Sequence, residues 1–389
     1  MSGRLAIVNG NLLLPQGPVQ GLALVVEGGR ILGLAVPGSL GADVEQFDAG
    51  GRMVLPGLID IHTHGALSHT FDEGTTEAFQ TITSLHARCG VTALVATTAA
   101  SPIPDLLHCL EFAGQWMGEA HNGAQVLGVH LEGPYMNVGQ KGALDPNNLR
   151  LPDDGTADQL LEHHRIIRIL TLAPELPGAL PLIQRAARLG IVVAAGHSMA
   201  HDTHVLAAIQ AGLRHTVHIW SAQSSTVREG PWRKPGLLEA TLTRDELSAE
   251  MIADNRHLPQ TLMQLAYRCK GPDRLCAVSD ATCGTGLPEG AHFRMGAMEF
   301  DVHDGVGMML DRTAFAGSTT LLNRMIPILT GVAGIPLAEA VRMVTLTPAR
   351  IVGLADRKGS LEAGKDADIA IFDPDWSAWR TMIGGRWVC

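Results

Sequence analysis

Apolar positions along this chain follow two rhythms. Over the first fifty residues, short apolar runs are cut by Gly-Gly or Asn-Gly pairs, as in "LAIVNG", "GLALVVEGGRILGLAV" and "VEQFDAGGRMVLPG". That punctuation marks hairpins. The last segment, "GKDADIAIFDPDWSAWRTMIGGRWVC", alternates apolar with polar residues and turns at Gly384-Gly385. Two β-rich ends around a different middle predict that the termini meet in one small β-sandwich, built from residues 1–54 and 355–389.

The middle reads differently. Eight short apolar runs are spaced through residues 55–354, with the first run starting just before: "MVLPGLIDIHTH", "VTALVATT", "VLGVHLEG", "IRILTLAPE", "IVVAAGHS", "RHTVHIW", "AEMIAD" and "RLCAVSDA". Between most of them lie stretches with apolar spacing near 3.6 and a terminal glycine, among them "TTEAFQTITSLHARCG", "ALPLIQRAARLG" and "THVLAAIQAGL". Eight alternations of strand and helix predict an α/β fold, a (β/α)8 TIM-like barrel. A doubly wound open sheet would carry a Gly-rich phosphate loop after an early strand, and neither G-x-G-x-x-G nor a P-loop occurs.

Composition narrows the class. Of 389 residues, 46% are hydrophobic and 17% charged, as expected of a soluble globular protein with a large core. The formal charge of −10, without clusters of Lys and Arg, speaks against nucleic acid as a partner. It leaves room for a phosphorylated small molecule, which needs only one or two local cations. The six cysteines are scattered and form no C-x-x-C pair, which predicts free thiols in a cytoplasmic protein. No apolar run reaches membrane-spanning length, and the N-terminus does not read as a signal peptide.

Barrel enzymes keep their chemistry at the C-terminal ends of the strands, and there the polar residues of this chain collect. The first strand ends in His62 and His64, the third in Glu132, the fifth in His197, the sixth in His218 and the eighth in Asp280. Each alone is compatible with a structural role. Together, four imidazoles and two carboxylates meet at one barrel mouth. His62 and His64, two apart on a strand, share a face. Nitrogen and oxygen donors without thiolates suit a divalent metal, zinc first, with iron, manganese or cobalt as alternatives. His215 lies three residues before His218, so strand alternation leaves it outside this set.

The same motifs resemble the amidohydrolase superfamily, and within it the N-acetylglucosamine-6-phosphate deacetylases. The resemblance runs from "PGLIDIHTHG" to "GSLEAGKDADIAIFD" and includes "HLEGPYMNVGQKGA", "LAPEL", "AAGHS", "HTVHIW", "RKPGL", "IADNRH", "VSDA" and "AGS". It implies one divalent ion on Glu132, His197 and His218, a second through His62 and His64, and Asp280 as the general acid/base. It implies substrate contacts at Gly142, Ala143, Ser221 and Ala222, phosphate contacts at Arg233 and His257, and a homodimer whose interface lies near the phosphate. Two positions depart from the family pattern: Leu144 replaces a His in "KGAH", and Ser221 replaces the Asn of an Asn-Ala pair. The expected reaction is hydrolysis of an N-acetyl amino sugar phosphate to acetate and the amino sugar phosphate. A deaminase or amidase of the same superfamily is the alternative, disfavoured because the fourth strand lacks the lysine many of these use. A barrel without catalysis would have had no need to retain the ligands and Asp280.

Overall fold

The computed structural model describes residues 3–117, 119 and 121–389, so residues 1 and 2 of the expected terminal unit lie outside the described residues. Eight parallel strands form one sheet in chain order: β1 Leu58–Thr63, β2 Val91–Thr98, β3 Gln125–Glu132, β4 Ile167–Leu172, β5 Val192–Ala195, β6 His215–Thr216, β7 Ser248–Ile252 and β8 Leu275–Val278. The sheet closes beyond the end of β8, where Asp280 N donates to His62 O at 2.9 Å and His64 N to Ala281 O at 2.7 Å. The barrel expected from eight alternations is therefore present. Among the described residues, seven helices, from α1 Thr76–Arg88 to α7 Gln260–Lys270, fill the crossovers, and their apolar faces complete a core rich in Ala, Val, Leu and Ile. Parallel strands covered in this way are buried on both sides, and β1 and β2 are buried at every residue.

The ends of the chain build two further sheets. One holds Leu5–Val8, Ala23–Glu27, Arg30–Ala35 and Glu45–Asp48. The other joins both termini: Ile369–Phe372 pairs antiparallel with Met53–Pro56, which itself lies beside Asn11–Leu14. Ile7, Leu24 and Ile31 of the first sheet pack in one buried cluster with Leu12, Val54, Ile369 and Ile371 of the second. The run "MVLPGLIDIHTH", expected as one strand, is two strands in two sheets. Met53–Pro56 continues past residue 54 in the terminal sheet, and the chain enters the barrel at Gly57. A Cβ at Gly57 would lie 2.1 Å from the Thr92 side chain, so only glycine lets the two strands pass this closely.

A four-stranded antiparallel meander, His292–Met295, Met298–His303, Val306–Met309 and Phe315–Ser318, follows β8 and was not expected from the apolar pattern. It stands over the barrel mouth, where Met295, Met298 and Phe315 form one wall of the site.

Gly65 closes the "PGLIDIHTHG" motif for a steric reason. A Cβ there would sit 2.1 Å from the His69 carbonyl oxygen, a backbone atom that cannot step aside. Gly65→Ala is expected to cost about 1–3 kcal/mol of stability, the usual range for overpacking. It should also displace His64. A lower melting temperature together with weaker metal retention checks this; an unchanged melting temperature would contradict it.

Candidate metal centre

The six expected residues converge. His62 and His64 leave the end of β1, Glu132 ends β3, and His197, His218 and Asp280 follow β5, β6 and β8. All six are buried. Glu132 is the hub. Its Oε1 lies 2.8 Å from His218 Nε2, 3.2 Å from His197 Nε2 and 3.5 Å from His62 Nε2, and its Oε2 lies 3.2 Å from His64 Nε2. Asp280 Oδ1 lies 3.5 Å from His62 Nε2 and 3.3 Å from His64 Nε2. Two triads able to hold an ion share the glutamate: His62, His64, Glu132, and Glu132, His197, His218.

The outer ring nitrogens decide what the inner ones can be. His197 Nδ1 faces the Gln140 carbonyl at 2.9 Å and His218 Nδ1 the Ser221 carbonyl at 3.2 Å. His62 Nδ1 faces a Glu250 oxygen at 2.8 Å. Carbonyl and carboxylate oxygens only accept, so in each ring Nδ1 carries a proton and donates. In the neutral imidazoles Nε2 is then a bare lone pair, and all three point at Glu132. Lone pairs facing a carboxylate repel unless a cation or protons lie between them. The donor set and its outer hydrogen bonds therefore fit a divalent ion.

Protonation is the other way to relieve that repulsion, and the local electrostatics show its strength. Burial lowers the pKa of His64, but hydrogen bonds to Asp280 and Glu132 outweigh it and hold the ring at about 9. Burial also lowers His218, which Glu132 raises above the ordinary value. Burial raises the Glu132 carboxyl, yet His62 and the bonds from His197 and His218 keep it well below the carboxylate range. Asp280 is likewise depressed by His62 and His64 against the opposing effect of burial. The pocket thus favours two carboxylates surrounded by positive charge, which a metal supplies as well as protons do.

The backbone is bent to present these groups. His197, His218 and Asp280 have φ of 47°, 21° and 45°, in or near the left-handed region that costs non-glycine residues about 1–3 kcal/mol each. Neighbouring bonds hold two of them there: Asn137 N donates to His197 O at 2.9 Å and Ser318 N to Asp280 O at 2.9 Å. Glu175 of "LAPEL" clamps the same loops, accepting from Asn137 Nδ2, Ser198 Oγ and Met199 N at 2.9, 2.7 and 2.6 Å.

Above the centre opens a cavity of about 460 Å3. Gly142, Ala143, Ser221, Ala222 and His257 line it, as does Leu144. His257 Nδ1 is bound to Asp254 at 2.7 Å and its ring packs against Phe315. Arg233 is not brought to the cavity. It lies on an exposed hairpin, Val227–Glu229 with Trp232–Lys234, and its guanidinium donates to Pro231 O nearby. Among the described residues no Lys or Arg lines the cavity. His215 stays outside the ligand set, but not for the reason alternation gives: β6 is only two residues long, so its period does not extend to His218. Its Nε2 instead meets Glu250 at 3.0 Å. Glu250 was not among the residues expected from the sequence, although a glutamate among the apolar residues of "AEMIA" was a visible signal.

A model of the amidohydrolase family matches residues 53–388. The chain belongs to that family. Among its relatives, the N-acetylglucosamine-6-phosphate deacetylase of Vibrio furnissii is 33% identical over 86% of this chain and 82% of its own. The N-acetylgalactosamine-6-phosphate deacetylase of Escherichia coli O157:H7 is 31% identical over 86% and 87%. A crystal structure of the Pasteurella multocida N-acetylglucosamine-6-phosphate deacetylase superposes with a TM-score of 0.93 at 27% identity, covering 99% of both chains. A mutant of the Mycobacterium smegmatis deacetylase, solved in complex with N-acetyl-D-glucosamine-6-phosphate, gives 0.89 at 28% identity, covering 100% of this chain and 99% of that one. Membership of a metal-dependent hydrolase family agrees with the donor set derived above.

Proposed function

We propose that this protein hydrolyses the N-acetyl group of an amino sugar 6-phosphate, N-acetylglucosamine 6-phosphate or a close relative, releasing acetate. One observation carries the reading: the Nε2 atoms of four imidazoles converge on Glu132 at the floor of a cavity that also holds Asp280. The names of the relatives supply the substrate class. His62, His64 and Glu132 would hold one divalent ion and Glu132, His197 and His218 another, zinc being the first expectation. When bound, such an ion supplies an activated water and polarises the amide carbonyl.

The remaining work falls to the chain's own groups. Asp280, ionised beside His62 and His64, accepts the proton of the attacking water at Oδ and returns it to the amide nitrogen, which leaves as the amine. Gly142, Ala143, Ser221 and Ala222 position the sugar against this centre. His257, fixed through Nδ1 by Asp254, has Nε2 free for the phosphate. Among the described residues, no Lys or Arg of the same chain lines that cavity. A homodimer in which Arg233 reaches the phosphate of the neighbouring site is the arrangement we favour, since the exposed hairpin that carries it presents Trp232 and Arg233 outward. A guanidinium fork suits a phosphate. The six free thiols support a cytoplasmic setting.

Steady-state hydrolysis of N-acetylglucosamine 6-phosphate by the zinc-loaded protein tests the reading; absence of acetate release from any N-acetyl amino sugar phosphate would overturn it. Leu144 favours looking beyond the glucosamine epimer. It is buried against Ala100 and Met136 where a polar sugar reader is expected. A site that lacks one hydrogen-bonding group loses discrimination. We expect N-acetylglucosamine 6-phosphate to be hydrolysed without being the best of a panel of epimers and N-acyl variants. Leu144→His with Ser221→Asn should move the preference toward it, measured as a ratio of kcat/KM values. An unchanged ratio in a folded, metal-loaded double variant would show Leu144 to be a packing residue only.

A further inference from the structure

Glu250 is fully buried on β7, in the barrel interior, and takes no part in the reaction described above. Its two oxygens meet three donors. Oε2 accepts from His62 Nδ1 at 2.8 Å and lies 3.3 Å from the backbone N of His218, and Oε1 lies 3.0 Å from His215 Nε2. His215 is itself held from behind, with Nδ1 2.7 Å from Ser248 Oγ. A carboxylate offers only acceptors, so each ring nitrogen facing it must carry a proton. For His62 that choice leaves Nε2 bare on the side of Glu132 and Asp280. A carboxylate at this depth could not stand alone. The His215 N–H takes its second oxygen, and Ser248 keeps that ring in place.

We propose that Glu250, steadied by His215, is the positioning residue of the metal centre on its β1 side: it fixes the tautomer and ring plane of His62 so that Nε2 is available to an ion. A carboxylate behind a ligating histidine raises its basicity as well as orienting it. This rests on the metal-centre reading. His197 and His218 need no such partner, because backbone carbonyls of Gln140 and Ser221 already fix their tautomers. The influence of Glu250 should accordingly run through His62.

The test is a double-mutant cycle on metal affinity. Zn2+ binding is measured by competition with a chromophoric chelator for wild type, Glu250→Gln, His62→Ala and the double variant, with Co2+ absorption spectra as a second readout. Glu250→Gln keeps one oxygen for His218 N and nearly the same shape, so it preserves the fold where an apolar replacement would not. With its oxygen in the Oε2 place it still accepts from His62 Nδ1 and His218 N but lacks the negative charge that raises the basicity of His62 Nε2, and with its nitrogen there it opposes the Nδ1 proton, so either placement weakens the ligand. We expect about a 10- to 100-fold loss of affinity for the ion on the β1 side and a changed Co2+ spectrum. In the His62→Ala background the same substitution should change neither, since coupled groups are not additive. Equal losses in both backgrounds would overturn the proposal and make Glu250 a general structural residue. Unchanged affinity in both backgrounds would overturn it too. A wild-type protein that binds no Zn2+ would instead defeat the metal-centre reading itself.

Discussion

Asp280→Asn is expected to abolish nearly all turnover while leaving fold and metal content intact. The backbone at this position is held by bonds that do not use the side chain: Asp280 N to His62 O at 2.9 Å and Ser318 N to Asp280 O at 2.9 Å. An asparagine fits the same space and keeps those bonds. It cannot accept a proton and hand it on, so the leaving nitrogen would depart as an unprotonated amide anion. General acid–base catalysis contributes about a hundred- to ten-thousand-fold, and kcat should fall by that order with little change in KM. Such a pattern marks an interaction made in the transition state. Four imidazoles and Glu132 remain to hold the ions, so metal analysis and circular dichroism should match the wild type. A variant with turnover within threefold of wild type would remove Asp280 from the mechanism.

The convergence of the candidate residues was legible because they obey short-range rules. His62 and His64 sit two apart on a strand, and Glu132, His197 and Asp280 fall where apolar runs stop, which in a barrel is one rim. Local pattern reached each of them singly and the topology brought them together. What it could not reach depends on partners far along the chain. Glu250 acts on a ring 188 residues away, and no periodicity links the two. The split of "MVLPGLIDIHTH" turns on Thr92 crowding Gly57, a contact between strands. Arg233 is the opposite case. Its motif was visible, but the structure of one chain leaves it on an exposed hairpin, so its expected role depends on a second subunit. The meander over the cavity escaped because its strands are short and its exposed faces polar; "HFRMGAMEFDVHDGVGMML" reads as easily as loop.

Removing the ions should cost stability as well as activity, and the two losses test the centre independently. Without a cation, Glu132 and Asp280 stay buried among imidazoles that must take up protons to balance them. Binding restores that balance in the folded chain and has no equivalent in the unfolded one, so it stabilises the fold by mass action. At free metal a thousand times the dissociation constant the gain is about 4 kcal/mol. Protein dialysed against a chelator should therefore melt at lower temperature and lose activity, and both should return on adding Zn2+. His218→Ala removes the nitrogen 2.8 Å from Glu132 and His197→Ala the one at 3.2 Å. Each leaves its triad with two protein ligands, too few for a closed site. Both variants should show a smaller metal-dependent rise in melting temperature than wild type and bind fewer ions per chain. If the chelated protein melts unchanged and keeps full activity, the imidazoles around Glu132 are hydrogen-bonding groups of the barrel core and no ion belongs there.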